Sequence, residues 1–230
     1  MDRTLLGIVA ATLIAGASGP AFAECNSTPQ PGVDWSNCDK TKVMLRGDDL
    51  RQANLSSADV SRADLAGSDL SGARLVEATL VRTRLKDAKL AGADLTKAMF
   101  DRANLEAADL SGAVMVKTEL HRAKLDQANL SGANLEKAEL GRASLVNANL
   151  SGANLTRAYL ARADLRHAVL ADADLTETDL HLADLGGADL SLARGLDAAQ
   201  LDETCGDDGT KLPDGIARPA SWPCTTAEEE

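Results

Sequence analysis

Seven basic residues recur at a spacing of 20: Lys42, Arg62, Arg82, Arg102, Arg122, Arg142 and Arg162. A chain that winds once every 20 residues would stack them in one column. Guanidinium groups bind phosphate and carboxylate with paired hydrogen bonds, so such a column suits an anionic partner. Like charges about 5 Å apart also repel by roughly 1 kcal/mol in water. Screening, stacked guanidinium planes and nearby Asp101 or Asp164 would offset that repulsion from within the chain. An anionic partner would offset it from outside. Both readings stand on the sequence.

Other candidate chemistry is sparse. The histidines are His121, His167 and His181. His121 and His181 share the 20-residue phase but lie three turns apart, roughly 14 Å at strand spacing, too far to share a metal. His167 falls in a different phase, and all three read as surface residues. The four cysteines, Cys25, Cys38, Cys205 and Cys224, form no Cys-x-x-Cys pair. There is no Gly-rich phosphate loop and no nucleophile–base pair. Catalytic residues, metal ligands and cofactors are therefore not expected. Arg46-Gly47-Asp48 spells an adhesion tripeptide, but Asp48 takes an inward phase, so the match is fortuitous. A carboxylate there needs local N–H donors or a loosened turn.

The elements that position these residues follow from a shorter period. Every fifth residue from Leu45 to Leu190 is large and apolar, with Leu in 27 of 30 positions and Val60, Phe100 and Met115 in the others. The residue two before each is Ala in 24 of the 30. A period of five is neither helical nor that of a flat strand. Ser71-Gly72-Ala73, Ala91-Gly92-Ala93, Ser111-Gly112-Ala113, Ser131-Gly132-Ala133 and Ser151-Gly152-Ala153 repeat the 20-residue spacing. Their glycines serve a turn with positive φ or leave a bare packing surface. Four five-residue units thus make one turn.

Ala53-Asn54-Leu55, Ala63-Asp64-Leu65 and Ala133-Asn134-Leu135 are units of the form A(D/N)Lxx. In these the chain resembles the pentapeptide-repeat family over roughly residues 41–194. The resemblance implies an all-β fold, a right-handed quadrilateral β-helix with Leu and Ala inward. Thirty units give about 7.5 turns and a rod of roughly 36 Å at strand spacing. Its packed interior leaves no buried active site. The aromatic content of 2% agrees with a narrow Leu/Ala core.

The ends differ from the repeat. Residues 1–23 carry Arg3, an apolar run over 5–17 and Ala21-Phe22-Ala23, the pattern of a secretory signal peptide. The run is too short to span a membrane. Export fits an even cysteine count flanking the repeat. Three pairings are possible, and a rigid repeat between the pairs favours Cys25–Cys38 and Cys205–Cys224. The expected organisation is a signal peptide (1–23), an N-terminal cap (24–40) with Trp35 as its lid, the β-helix (41–194) and a C-terminal cap with an acidic tail (195–230). This last segment resembles the tail of exported bacterial members of the family and carries nine acidic residues against two basic, within a net charge of −11. The units holding the Arg column carry nine basic residues against four acidic.

These features favour a non-enzymatic structural or protein-interaction rod, periplasmic or secreted. Its partner is an unknown protein or an anionic envelope polymer, not a nucleic acid, and a homodimer is compatible. The alternative is a DNA mimic inhibiting an enzyme such as gyrase, as some family members do; the signal peptide and the basic column disfavour it. A polysaccharide-cleaving β-helix needs long loops that the repeat lacks, and ice binding needs a Thr ladder that Thr96, Thr156 and Thr176 do not form.

Overall fold

The computed structural model describes residues 25–223. The expected signal peptide, Cys224 and the last acidic residues lie outside the described residues. The chain winds as a four-sided coil. Each unit contributes one bridging residue, the one before the inward Leu, and parallel bridges join residues 20 apart. One such column runs Asp34, Asn54, Arg74, Asp94, Val114, Asn134, Asn154, Asp174 and Arg194, linked by eight successive bridges. Asn54 N–H donates to Val33 O at 2.8 Å, and Trp35 N–H donates to Asn54 O at 2.7 Å. Bridging begins at Asp34, inside the segment 24–40, and ends at Lys211, inside 195–230.

Each corner is a β-turn whose residue three beyond the Leu donates back to it, as Ala53 N–H does to Leu50 O at 3.0 Å. The turn's third residue has φ between 55° and 71° at every corner from Gly32 to Gly187, and most of these residues are not glycine. The first turn N–H has no backbone partner. Asp or Asn at the bridging position supplies one through its side chain. Asp69 Oδ1 accepts from Ser71 N–H at 3.0 Å, and Asn134 Oδ1 accepts from Glu136 N–H at 3.1 Å. That local bond is why Asp and Asn suit this position and stabilise the turn.

Inside, the Leu column residues are buried, Leu50 and Leu105 completely, and Phe100 and Met115 fit the same column. Each such burial stabilises by about 1.5–3 kcal/mol. Hydroxyl residues at the Ala phase stay satisfied: Thr83, Thr118 and Thr178 donate to Val60, Leu95 and Leu155 carbonyls at 2.8 Å. Asp48, in the first turn, is half-buried and not enclosed as its phase suggests.

A tryptophan closes each end. Trp35 takes a Leu position, 1% exposed, and its Nε1–H donates to Ser27 Oγ at 2.9 Å. Lys40, in the next Leu position, stands 3.8 Å over the Trp35 ring and donates to Cys25 O at 2.5 Å. Cys25 is bonded to Cys38, as expected. At the other end the bridges lengthen to Asp184–Cys205 and Asp189–Lys211, spacings of 21 and 22. The first extra residue enters before Cys205, in the stretch holding a short 3-10 helix, Ala199–Leu201, that buries Leu201, and the second enters between Cys205 and Lys211. Trp222 packs over Gly206 and donates to Thr204 O at 2.8 Å. Cys205 is disulfide-bonded; Cys224, its expected partner, lies outside the described residues.

Candidate functional site

The seven basic residues occupy one corner of the coil, not one face. Lys42, Arg62, Arg82, Arg102, Arg122, Arg142 and Arg162 each fill the positive-φ turn position, with φ from 57° to 60°. All seven are exposed. L-residues adopt this conformation at a cost of roughly 1 kcal/mol that glycine avoids. Arg84 and Lys124, grouped with them by sequence, sit on the adjoining face at bridging positions. Arg84 is used internally: with Arg46 it neutralises the buried carboxylate of Asp64, at 3.0 and 3.6 Å. Burial pushes the Asp64 carboxyl up, but Arg84, the Ala66 N–H and Arg46 together hold it below the usual range.

Other corners treat charge differently. At the corner that follows the Asn54–Asn154 face, the turn column runs Glu77, Lys97, Lys117, Lys137, Arg157 and Glu177, and its outer cations pair with the acids at either end. Lys97 Nζ lies 2.9 Å from Glu77, and Arg157 Nε lies 2.6 Å from Glu177. Lys86 and Glu106 do the same at 2.7 Å on another corner. Along the arginine corner no side chain of the seven forms an ion pair within 4.0 Å among the described residues. Asp164, expected to offset them, instead pairs with Arg166 at 2.6 Å. Asp101 sits on the corner with one buried carboxylate oxygen lacking a hydrogen-bond partner.

The upper half of the corner is hollowed. Between the Arg residues and the face lies a column running Thr41, Ser61, Val81, Asp101, His121, Gly141 and Ala161. At Gly141 the ring of Tyr159 leans in from the face; a Cβ at Gly141 would stand 2.7 Å from that ring and 3.1 Å from His121 Nδ1. Tyr159 meets His121 edge to face, with ring centroids 6.4 Å apart. His121 Nε2 lies 2.8 Å from Glu139 Oε2. The result is an open cleft of about 450 Å³, walled by His121 and Tyr159 on one side and by Arg122, Arg142 and Arg162 on the other, with Gly141 and Ala161 as its floor. Residue periodicity alone missed this cleft. The available signal was the pairing of the chain's one tyrosine with a glycine in a column otherwise filled by larger residues.

The remaining histidines do not join it. His181 pairs with Glu203 at the C-terminal cap, and His167 lies against Gly187 on another corner. Among the described residues no group of three His, Cys, Asp or Glu is placed to hold a metal ion, and no helix is long and apolar enough to cross a membrane. The Ser–Gly corner lies diagonally opposite the arginine corner. A Cβ at Gly92, Gly112, Gly132 or Gly152 would meet nothing within 4 Å, so these glycines are not required by close approach.

Comparison with known proteins matches this geometry. The family model described as Pentapeptide repeats fits the chain in eight copies over residues 49–87, 78–115, 115–152 and 153–191. The chain belongs to the pentapeptide-repeat family, and its fold is the right-handed quadrilateral β-helix. The crystal structure of HetL, a pentapeptide repeat protein involved in heterocyst differentiation regulation in the cyanobacterium Nostoc sp. strain PCC 7120, is 31% identical. It aligns over 77% of this chain and 86% of that one, with a TM-score of 0.50. QnrB1, a plasmid-mediated fluoroquinolone resistance protein, is 19% identical over 80% of this chain and 91% of its own, with a TM-score of 0.47. A pentapeptide repeat protein of the Arabidopsis thaliana thylakoid lumen is 34% identical over 41% of this chain and 66% of its own, with a TM-score of 0.26. No curated protein sequence matches the chain.

Proposed function

We propose that this protein is an exported, non-enzymatic rod whose arginine corner binds an anionic polymer of the cell envelope. The observation that carries the reading is the unpaired cation in seven consecutive turns, Lys42 to Arg162, at a backbone position that favours glycine. Elsewhere cations and acids meet across successive turns, as Lys97 with Glu77, Arg157 with Glu177 and Lys86 with Glu106. A column of exposed positive charge raises the local concentration of a polyanion and steers its approach. The signal-peptide pattern of residues 1–23 and the cysteines outside the repeat support a periplasmic or secreted location. Sequencing the N terminus of the exported protein tests this: a mature chain starting at Glu24 is expected, and a cytoplasmic protein retaining Met1 would overturn it.

Binding is tested by changing Arg82, Arg102, Arg122 and Arg142 together to Ser. The circular dichroism spectrum should be unchanged. Salt-sensitive binding to inorganic polyphosphate should be abolished, since attraction between exposed charges fades as the Debye length falls to about 3 Å at 1 M salt. Unchanged binding would remove the reading. A DNA-mimic role calls for a negative surface, and the arginine corner departs from that requirement.

A further inference from the structure

We propose that the cleft beside Gly141 seats an anionic sugar ring of that polymer, and that the polymer is a polysaccharide carrying one negative charge per sugar. The proposal rests on the arginine corner being the binding surface, and it adds the ligand's chemistry.

Three features of the cleft point to a ring as well as a charge. One wall is aromatic: Tyr159, 43% exposed, is braced edge-on by His121. An exposed aromatic face offers apolar contact to the C–H face of a sugar while its hydroxyl stays wet. The floor is small and closed, because Gly141 has no side chain and Ala161 is 4% exposed. The Tyr159 ring covers Gly141 itself, so a flat group would lie on the exposed side of that ring, facing the arginine row. The opposite wall is the row Arg122, Arg142 and Arg162, one guanidinium per turn. Successive turns are about 4.8 Å apart, close to the length of one sugar in an extended chain. A polymer with one carboxylate per sugar would meet one guanidinium per residue along the rod axis. Polyphosphate carries its charges more densely and offers no ring for Tyr159.

The lower corner lacks these features. There the inner column is Thr41, Ser61, Val81 and Asp101, and the face beside it presents Asp59, Thr79 and Met99. The open hollow at Thr41, Ser61 and Val81 is flanked by Lys42 and Arg62 but has no aromatic wall. The lower column can attract a polyanion, whereas the Gly141 cleft selects its repeating unit.

Isothermal titration with tetragalacturonate and with inorganic polyphosphate tests this, on the full exported chain and on its Tyr159→Ser and Tyr159→Phe variants. The unsubstituted protein should bind both. Tyr159→Ser should weaken tetragalacturonate about tenfold while leaving polyphosphate within about twofold, and Tyr159→Phe should keep tetragalacturonate binding within about threefold. The ring resonances of the single tyrosine should shift on adding tetragalacturonate and stay in place with neutral maltotetraose. If polyphosphate binds but tetragalacturonate does not, or if Tyr159→Ser affects both ligands alike or neither, the sugar site is overturned and the arginine-corner reading survives. If the unsubstituted protein binds neither polyanion, both fail. Should Tyr159→Ser fail to fold, unshifted tyrosine resonances in the unsubstituted protein would overturn the site.

Discussion

Two diagonally opposite corners of this rod share one backbone conformation and differ in what fills their turn position over most of its length. At the Ser–Gly corner, Gly72, Gly92, Gly112, Gly132 and Gly152 have φ of 62° to 66°. At the arginine corner, Lys42 to Arg162 have φ of 57° to 60°. The turn therefore dictates the conformation and leaves the residue open. Glycine is the lower-strain occupant, and the chain uses it in five turns on one corner. On the other it keeps Arg or Lys for seven. Since most corners of the rod hold a residue other than glycine, the comparison teaches that the arginine corner is set apart by its unbroken run of seven cations, and not by its backbone.

The contrast can be tested most forcefully from the core beneath it. Leu120 leads into the arginine corner and Leu130 into the Ser–Gly corner, and both are fully buried. Replacing either with Ala should cost 2–5 kcal/mol. Thermal denaturation should show nearly equal losses, because both face the same stack; a large inequality would mean that the corners stabilise the rod differently. Changing Arg82, Arg102, Arg122 and Arg142 together to Gly should raise the thermal midpoint, by up to roughly 1 kcal/mol per site before the extra unfolded-state freedom of Gly is subtracted. A fall would show that the side chains support the corner. In the reverse substitution, Gly112→Arg, the new Cβ meets no neighbour within 4 Å, so it should cost only about 1 kcal/mol of backbone strain. A larger loss would reveal repulsion that the arginine corner somehow escapes.

The smallest expected effect is in acid and lies in the last turns of the rod, on the Ser–Gly corner and on the corner of Glu77 and Glu177. Asp189 is held at about 2 by Lys211 and by the Ser191 hydroxyl and N–H, against an ordinary value of 3.8. Asp174 is lowered by the Thr176 hydroxyl and N–H. A carboxylate lowered in the folded state contributes its full stability above its unfolded pKa and loses it as the pH falls through the folded value. Melting points should thus be flat from pH 7 to about 5 and drop between about pH 4 and 2. A decline already complete at pH 5 would contradict it.

Much of the fold was legible because its interior repeats. Leu45 to Leu190 and the Ala positions fix four sides and their inward residues, and the 20-residue phase gathers Lys42 to Arg162 on one line. Sequence could not separate corner from face. Residues 41–45 look like one unit, yet Lys42 turns a corner while Met44 lies on a face. Nor could it show that glycine and arginine share a conformation, since Gly72 alone suggests that the turn demands glycine. The Tyr159 cleft escaped for a different reason. His121 and Gly141 share a column, but Tyr159 belongs to the next one and enters only because its ring tilts over a missing side chain. The C-terminal cap escaped because Cys205 and Lys211 bridge at spacings that no strict period contains.

That 20-residue closure has a consequence for how the molecule can change length. Every unit shows the same inner surface, so the core does not register where a five-residue segment is added or removed. The outside does. Losing one unit, such as residues 106–110, would rotate everything beyond it by a quarter revolution. Arg122, Arg142 and Arg162 would then continue a different edge from Arg102, and a polyanion titration would find two short ladders in place of one long one. Losing four units would restore the alignment and only shorten it. The rod behaves like a threaded bolt with one painted line: only whole revolutions keep the line unbroken.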